Sequence, residues 1–237
     1  MTERDHESGA ALLIALMAIM LISALGLTLA LTTGAETIIA ANYRDGVQGL
    51  YAADAGLERA FQDLLALGDW DPVLNGFTRS TLVDGGPSGE RVLADGSRID
   101  LTGVVNDANC GRKTGCTSGQ MDAITGDRPW GANNPRWNLY AHAPLDDLVT
   151  EPRLRTAYYV VVLVADDPSE NDGDPLRDGV DPRRNPGTGL LSVRAEAFGP
   201  RGAHRAIDAT LARDAERSPL TGGPVVRLLS WRERKPS

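Results

Sequence analysis

Residues 8–35, written SGAALLIALMAIMLISALGLTLALTTGA, contain no charged side chain, an uninterrupted run of 28. A helix needs roughly 20 apolar residues to cross a bilayer core of about 30 Å, so this run is long enough to span. Nothing else in the chain comes near a second span. The competing reading is a buried core helix, but such helices are seldom apolar on every face over this length. A secretory signal fits poorly, because its n-region should be basic and here Arg4 stands against Glu3, Asp5 and Glu7. A cut after Ala35 would also follow an apolar stretch well beyond the roughly 7 to 15 residues usual for such signals.

Within the run, Gly26, Ala30 and Gly34 recur at every fourth residue. They share one helix face and let a neighbouring helix approach closely, the small-xxx-small pattern of membrane helix packing. Past Ala35 the helical period continues through Ile39, Tyr43, Val47, Leu50, Leu57, Phe61 and Leu64 or Leu65, with charges between them. It stops at Gly68-Asp69-Trp70-Asp71-Pro72, where a capping glycine and a proline both end helices. One helix over 8–67 is therefore expected, with a kink or melted segment near the membrane exit, since Gly46, Gly49 and Gly56 each weaken a helix by about 1 kcal/mol relative to Ala.

A short charged leader ending in Gly9, an apolar helix directly after it, Asn42 and Arg44 beyond, and then Tyr51-Ala52-Ala53-Asp54-Ala55-Gly56-Leu57-Glu58 resemble the N-terminus of PilX-type minor pilins of type IV pili. The resemblance covers roughly residues 7–61. It implies that a prepilin peptidase cuts after Gly9 and methylates the new terminus at Ala10. The helix would serve as membrane anchor and filament core, and the partners would be other minor pilins, the major pilin and a tip adhesin. It implies a single-pass inner-membrane protein with its domain in the periplasm before assembly, then at the pilus or cell surface. Major pilins carry a glutamate at the fifth mature position, where this chain has Ile14. Either Ile14 marks a tip or initiating subunit with no neighbour above it, or the position has drifted.

The rest of the chain reads as β-rich. Ala94-Asp95-Gly96-Ser97 is a hairpin turn between short strands at 91–93 and 98–101. A continuous β-branched run at 158–164 reads as a central strand. Residues 191–198 and 203–211 form a hairpin about Gly199-Pro200-Arg201-Gly202, with Val193, Ala195 and Ala197 on the same face as Ile207, Ala209 and Leu211. A last strand is expected at 225–231 before the basic tail Arg232-Glu233-Arg234-Lys235. The expected fold is α+β: leader 1–9, membrane helix 10–35, amphipathic stalk 36–68, and a domain at 69–237 whose antiparallel sheet buries one face against the helix. His204 falls on the solvent side of that sheet.

Cys110 and Cys116 are the two cysteines of the chain, close enough in sequence to close a small loop. After export such a pair reads as a disulfide, and a zinc site would lack ligands, His142 being the nearest histidine. Residues 166–189 form a long acidic loop with Asp166, Asp167, Glu170, Asp172, Asp174, Asp178 and Asp181 against Arg177, Arg183 and Arg184. Two readings stand: a noncanonical calcium loop, for which Asp166, Asp167, Asp172 and Asp174 are candidate ligands, or a solvated flexible loop. An EF-hand register fails, since Gly173 at the sixth position puts Pro168 at the first.

With 24 Lys and Arg against 32 Asp and Glu, the net charge is −8 and the basic residues are scattered, which excludes the electrostatic footprint of a nucleic-acid binder. Motifs for nucleophilic, metal-hydrolytic or phosphate-cradling chemistry are missing from the sequence, so assembly rather than catalysis is expected. The alternative is a membrane-anchored periplasmic binding module, calcium-dependent or not, outside any filament.

Overall fold

The computed structural model describes residues 4–123, 134–148, 156–179, 185, 187–217 and 224–234. The chain divides into two compact units, Met1–Arg44 and Asp45–Ser237. One helix, α1 (Arg4–Leu65), runs for 62 residues and supplies the first unit and the first element of the second. It is helical through Gly46, Gly49 and Gly56, so the expected kink or melted segment is not found. In the first unit the side chains of its apolar run, Leu12 to Leu31, are exposed, and so are Ile39 and Tyr43 of the expected stripe.

In the second unit α1 lies on a five-stranded antiparallel sheet of order β3-β4-β5-β6-β7. The strands are β3 (Asn138–Pro144), β4 (Tyr159–Asp166), β5 (Leu190–Phe198), β6 (His204–Arg217) and β7 (Pro224–Arg234). The fold is α+β as expected. The β5–β6 hairpin has the register that alternation requires: Leu191 opposite Leu211, Val193 opposite Ala209, Ala195 opposite Ile207. These six residues, with Val160, Val162 and Val164 of β4, form the core under α1 together with Ala52, Ala53, Leu57, Ala60 and Leu64.

The expectation of one buried face is corrected. Every residue of β4 is buried, and Tyr159, Val161 and Leu163 on its other face pack with Leu93, Leu101, Ala108 and Leu139 in a second core. That layer is built by a small hairpin, β1 (Glu90–Val92) and β2 (Arg98–Asp100), and by α3 (Leu101–Cys110). The hairpin turns at Gly96, whose φ of +82° is a conformation that favours glycine, and the Asp95 carboxylate accepts from the Ser97 N–H at 3.0 Å. Asp100 then ends β2 and caps α3, accepting from the N–H groups of Thr102 and Gly103 at 3.1 Å each. Asn109 docks α3 by exchanging hydrogen bonds with the backbone of Trp137, at 2.9 and 2.8 Å.

Two further α-helices, α2 (Asp71–Leu74) and α4 (Ser118–Ala123), and two short 3-10 turns, Leu145–Asp147 and Pro200–Gly202, are the other helical elements of the second unit among the described residues. His204 lies on the face away from Ile207, as expected, but is only partly exposed there: its ring stacks on Phe198 at 4.5 Å and its Nε2 lies 2.8 Å from the Glu196 carboxylate. The last strand reaches Arg234, so Arg232, Glu233 and Arg234 continue the ladder rather than forming a tail, and Lys235 lies outside the described residues.

Candidate functional site

The segment Tyr51-Ala52-Ala53-Asp54-Ala55-Gly56-Leu57-Glu58 is where α1 meets the sheet. Ala52, Ala53 and Ala60 are buried, and Gly56 lies between them at helical spacing, so the helix presents almost no side-chain bulk to β4. A Cβ added at Gly56 would stand 2.3 Å from Val160 Cγ1 and 3.4 Å from Val162 Cγ2. At Gly49 it would stand 3.3 Å from the Tyr158 ring, and at Gly46 2.6 Å from the Arg205 guanidinium. These three glycines are contact points that let the helix backbone approach the sheet, not weak points of the helix. Leu57 and Leu64 flank the line with larger buried side chains. The start of this half-helix is pinned by Tyr158, whose hydroxyl donates to the Asp45 carbonyl at 2.7 Å, and by an ion pair between Arg201 and the buried Asp45 carboxylate.

The outward face of the same segment is polar. Asp54 accepts from the Trp231 indole N–H at 3.0 Å, and Glu58 accepts from Gln62 at 2.6 Å. Arg59 pairs with Asp63 at 3.1 Å and donates to the Thr81 hydroxyl at 2.8 Å, tying the loop after α2 to the helix.

In the first unit, Gly9 and Ala10 lie within α1 and are exposed. Gly26, Ala30 and Gly34 share one exposed face, and nothing lies within 4 Å of a Cβ added at Gly26 or Gly34. Among the described residues this is the one helix long and apolar enough to cross a membrane, which fits a single-pass anchor.

Cys110 and Cys116 are bonded to each other, their Cα atoms 6.0 Å apart, and the bridge fastens the loop after α3 back to the helix end. On the chain-entropy estimate so short a loop contributes about 2 kcal/mol. Replacing both cysteines by serine should lower stability by that amount in denaturant titration of oxidised protein, with the cooperative transition kept. A variant as stable as the parent would show the bridge to be idle.

The acidic loop is not simply a solvated strap, since Asp166, Glu170 and Asp178 are buried. Three of the candidate ligands accept backbone N–H groups close by in the chain: Asp166 from Asp167 at 2.9 Å, Asp172 from Asp174 at 2.9 Å, and Asp174 from Leu176 at 3.2 Å. Asp167 caps its own turn, accepting from the Ser169 N–H at 2.8 Å. Among the described residues no three His, Cys, Asp or Glu side chains are grouped to hold a metal ion. Asp181, Arg183 and Arg184 lie outside the described residues.

Instead the loop folds around buried carboxylates. Glu170 accepts from the Gly179 N–H at 3.1 Å and from the Asn185 amide at 2.6 Å. Asp178 accepts from the Gly189 N–H at 2.6 Å and pairs with Arg213 of β6 at 2.6 Å. Arg213 also donates to the Gly68 carbonyl at 2.7 Å and lies over the buried Trp70 ring at 4.9 Å. The loop, the end of α1 and β6 are thereby joined through one guanidinium.

Burial raises the carboxyl pKa of Asp166 to about 9, with the nearby Glu170 charge adding to it, and burial raises that of Glu170 to about 7. A carboxyl whose folded pKa is raised stabilises the fold fully below its unfolded value, near 4, and that contribution is lost as pH rises through the folded pKa. Asp166→Asn should therefore raise the melting temperature at pH 8 to 9 relative to the parent and flatten the decline between pH 5 and 9. Parallel pH profiles for the two proteins would remove Asp166 from this account.

Residues 8–58 match the family model described as PilX N-terminal. No curated protein and no solved structure matches the chain. The matched segment covers the whole apolar run, the face of Gly26, Ala30 and Gly34, and the seating line of Ala52, Ala53 and Gly56, and it stops at Glu58 where the helix is already embedded in the sheet. Over residues 8–58 the chain is thus similar to the N-terminal segment of PilX-type pilins, and its long apolar helix and antiparallel sheet are consistent with that likeness.

Proposed function

We propose that this chain is a minor pilin of PilX type, a structural subunit of a type IV pilus that acts in a tip or initiation complex. The reading is carried by the PilX N-terminal match over residues 8–58. The apolar helix would hold the subunit in the inner membrane with its domain in the periplasm, and a prepilin peptidase would cut after Gly9 and methylate Ala10. The face of Gly26, Ala30 and Gly34 would pack on the helices of other minor pilins and the major pilin. Ile14 supports a terminal position, since an isoleucine cannot make the ion pair with a neighbour's amine that the major-pilin glutamate is thought to make. A tip adhesin would then be a further partner.

The experiment is intact mass and copy number in purified filaments. Mature chains should begin at Ala10 with a methylated amine and be present in few copies per filament, and Gly9→Trp should leave residues 1–9 attached and the protein in the inner membrane. Filaments containing the uncut chain would reject the processing, and copies in proportion to the major subunit would reject the terminal position.

A further inference from the structure

Strand β7 closes the sheet on one side, and among the described residues no strand pairs with its outer edge. It is 11 residues long, whereas edge strands are usually kept short, charged inward or covered because their free N–H and C=O groups template pairing. From Arg227 to Arg234 every residue is exposed, including Leu228, Leu229 and Trp231 at 50%, 53% and 43%.

The register sorts these side chains. Leu228 stands opposite Leu211 and Trp231 opposite Ala209, on the face that α1 covers, while Arg227, Ser230, Arg232 and Arg234 stand opposite Ala212, Thr210, Asp208 and Ala206 on the other. The register shift between Thr210 and Leu211 takes up Leu229, and this bulge keeps Leu228 and Trp231 on one face and Arg227, Arg232 and Arg234 on the other, with Glu233 on the apolar face opposite Ile207.

On the basic face the carboxylate that Arg232 and Arg234 both reach is that of Asp208. Asp208 is held at 2.7 Å by the buried Arg194, and Arg232 and Arg234 reach the same carboxylate only at 3.5 and 3.6 Å. Both remain largely open, with side chains 70% and 45% exposed. A strand added outside β7 would have these two guanidinium groups as its direct cross-strand neighbours, and opposite charges there are favourable. On the other face Trp231 is oriented by Asp54 and presents the remainder of its ring beside Leu228.

We propose that the outer edge of β7 is a strand-addition site for an extended acidic segment of another protein. The segment's backbone continues the sheet, its Asp or Glu side chains lie beside Arg232 and Arg234, and its alternate apolar side chains lie beside Leu228 and Trp231. A second copy of β7 fits less well, because matching the faces sets arginine against arginine. A lipid surface also fits less well, since it would have to meet basic and apolar residues from one side and β7 puts them on opposite sides. The site stands whether or not the chain enters a filament.

The test uses the full chain in zwitterionic nanodiscs and two labelled nine-residue peptides, one alternating Asp with Val and one alternating Lys with Val. The Asp peptide should bind at least tenfold more tightly than the Lys peptide, and it should slow amide exchange across 227–234. The double variant Arg232→Glu, Arg234→Glu should reverse the preference, and both positions are exposed enough to keep the fold. If the variant unfolds, the two-peptide comparison on the parent decides. Equal affinity for both peptides, or binding without slowed exchange in β7, overturns the proposal. So does protection of β7 without peptide, whether it comes with anionic lipid in the nanodisc or with dimers of the chain.

Discussion

Gly56→Leu lowers the stability of the second unit by about 3 kcal/mol or more, even though leucine is the better helix former by nearly 1 kcal/mol. At an exposed helical position the substitution would stabilise. Here the first added carbon stands 2.3 Å from Val160 Cγ1, and Val160 is itself fixed between neighbouring strands at the centre of the core. The helix must lift from the sheet or Val160 must leave its rotamer, and either separates Ala52, Ala53 and Ala60 from their contacts. For a unit of this size the expected fall in melting temperature is about 6 to 12 °C. Adding Val160→Ala makes room, so the double variant should lose less than the sum of the two single variants, a coupling that a double-mutant cycle reads directly. A Gly56→Leu protein that melts at or above the parent would show that close approach of helix and sheet is not what this glycine serves.

Arg213→Met has the next largest effect, about 3 to 5 kcal/mol at pH 7, because it leaves Asp178 as a buried charge without its partner. The Asp178 side chain is 2% exposed and among the described residues keeps the Gly189 N–H, while the Gly68 carbonyl loses the Arg213 donor and the Trp70 ring loses its cation. Burial already raises the Asp178 pKa, with the Gly189 hydrogen bond and then Arg213 opposing that rise, so removing the arginine pushes it further up. Protonation then neutralises the stranded charge. The deficit should therefore be greatest above neutral pH and should shrink as pH falls toward about 4, where the unfolded Asp also takes up its proton. Denaturant titrations of parent and variant at pH 5 and 7.5 measure this. Adding Asp178→Asn should recover much of the loss at pH 7.5, and a deficit independent of pH would mean that packing against Trp70, not charge, sets the value of Arg213.

The parts of this protein that local pattern decides were legible residue by residue. The run 8–35 could only be a long apolar helix, Asp95-Gly96 could only turn tightly, and the alternation of Val193, Ala195 and Ala197 with Ile207, Ala209 and Leu211 set the β5–β6 register. Strand β3 was not legible, because Asn138-Leu-Tyr-Ala-His-Ala-Pro144 shows no alternation when both of its faces are buried. Helix α3 was hidden by Gly103, Val104 and Val105, weak helix formers whose helix depends on the Asp100 cap and on the sheet beneath it. The candidate site was half legible: the seating line Ala52, Ala53, Gly56 and Ala60 is visible as small residues at helical spacing, but its use is not.

Charge and small size report what a residue is, whereas burial depends on what arrives from elsewhere in the chain. The sequence by itself determined the long apolar helix, the α+β class, the hairpins and the cysteine pair, since each rests on neighbours within a few residues or on the length of one apolar run. Only the tertiary structure decided that three helix glycines are points of contact, that both faces of the sheet are covered, and that an acidic loop is tied down. Val160 reaches Gly56 across about a hundred residues of chain, and Arg213 reaches Asp178 from a strand beyond the loop. No local pattern encodes such distances, because the free energy that selects them comes from packing and desolvation, which exist only once the chain has closed on itself.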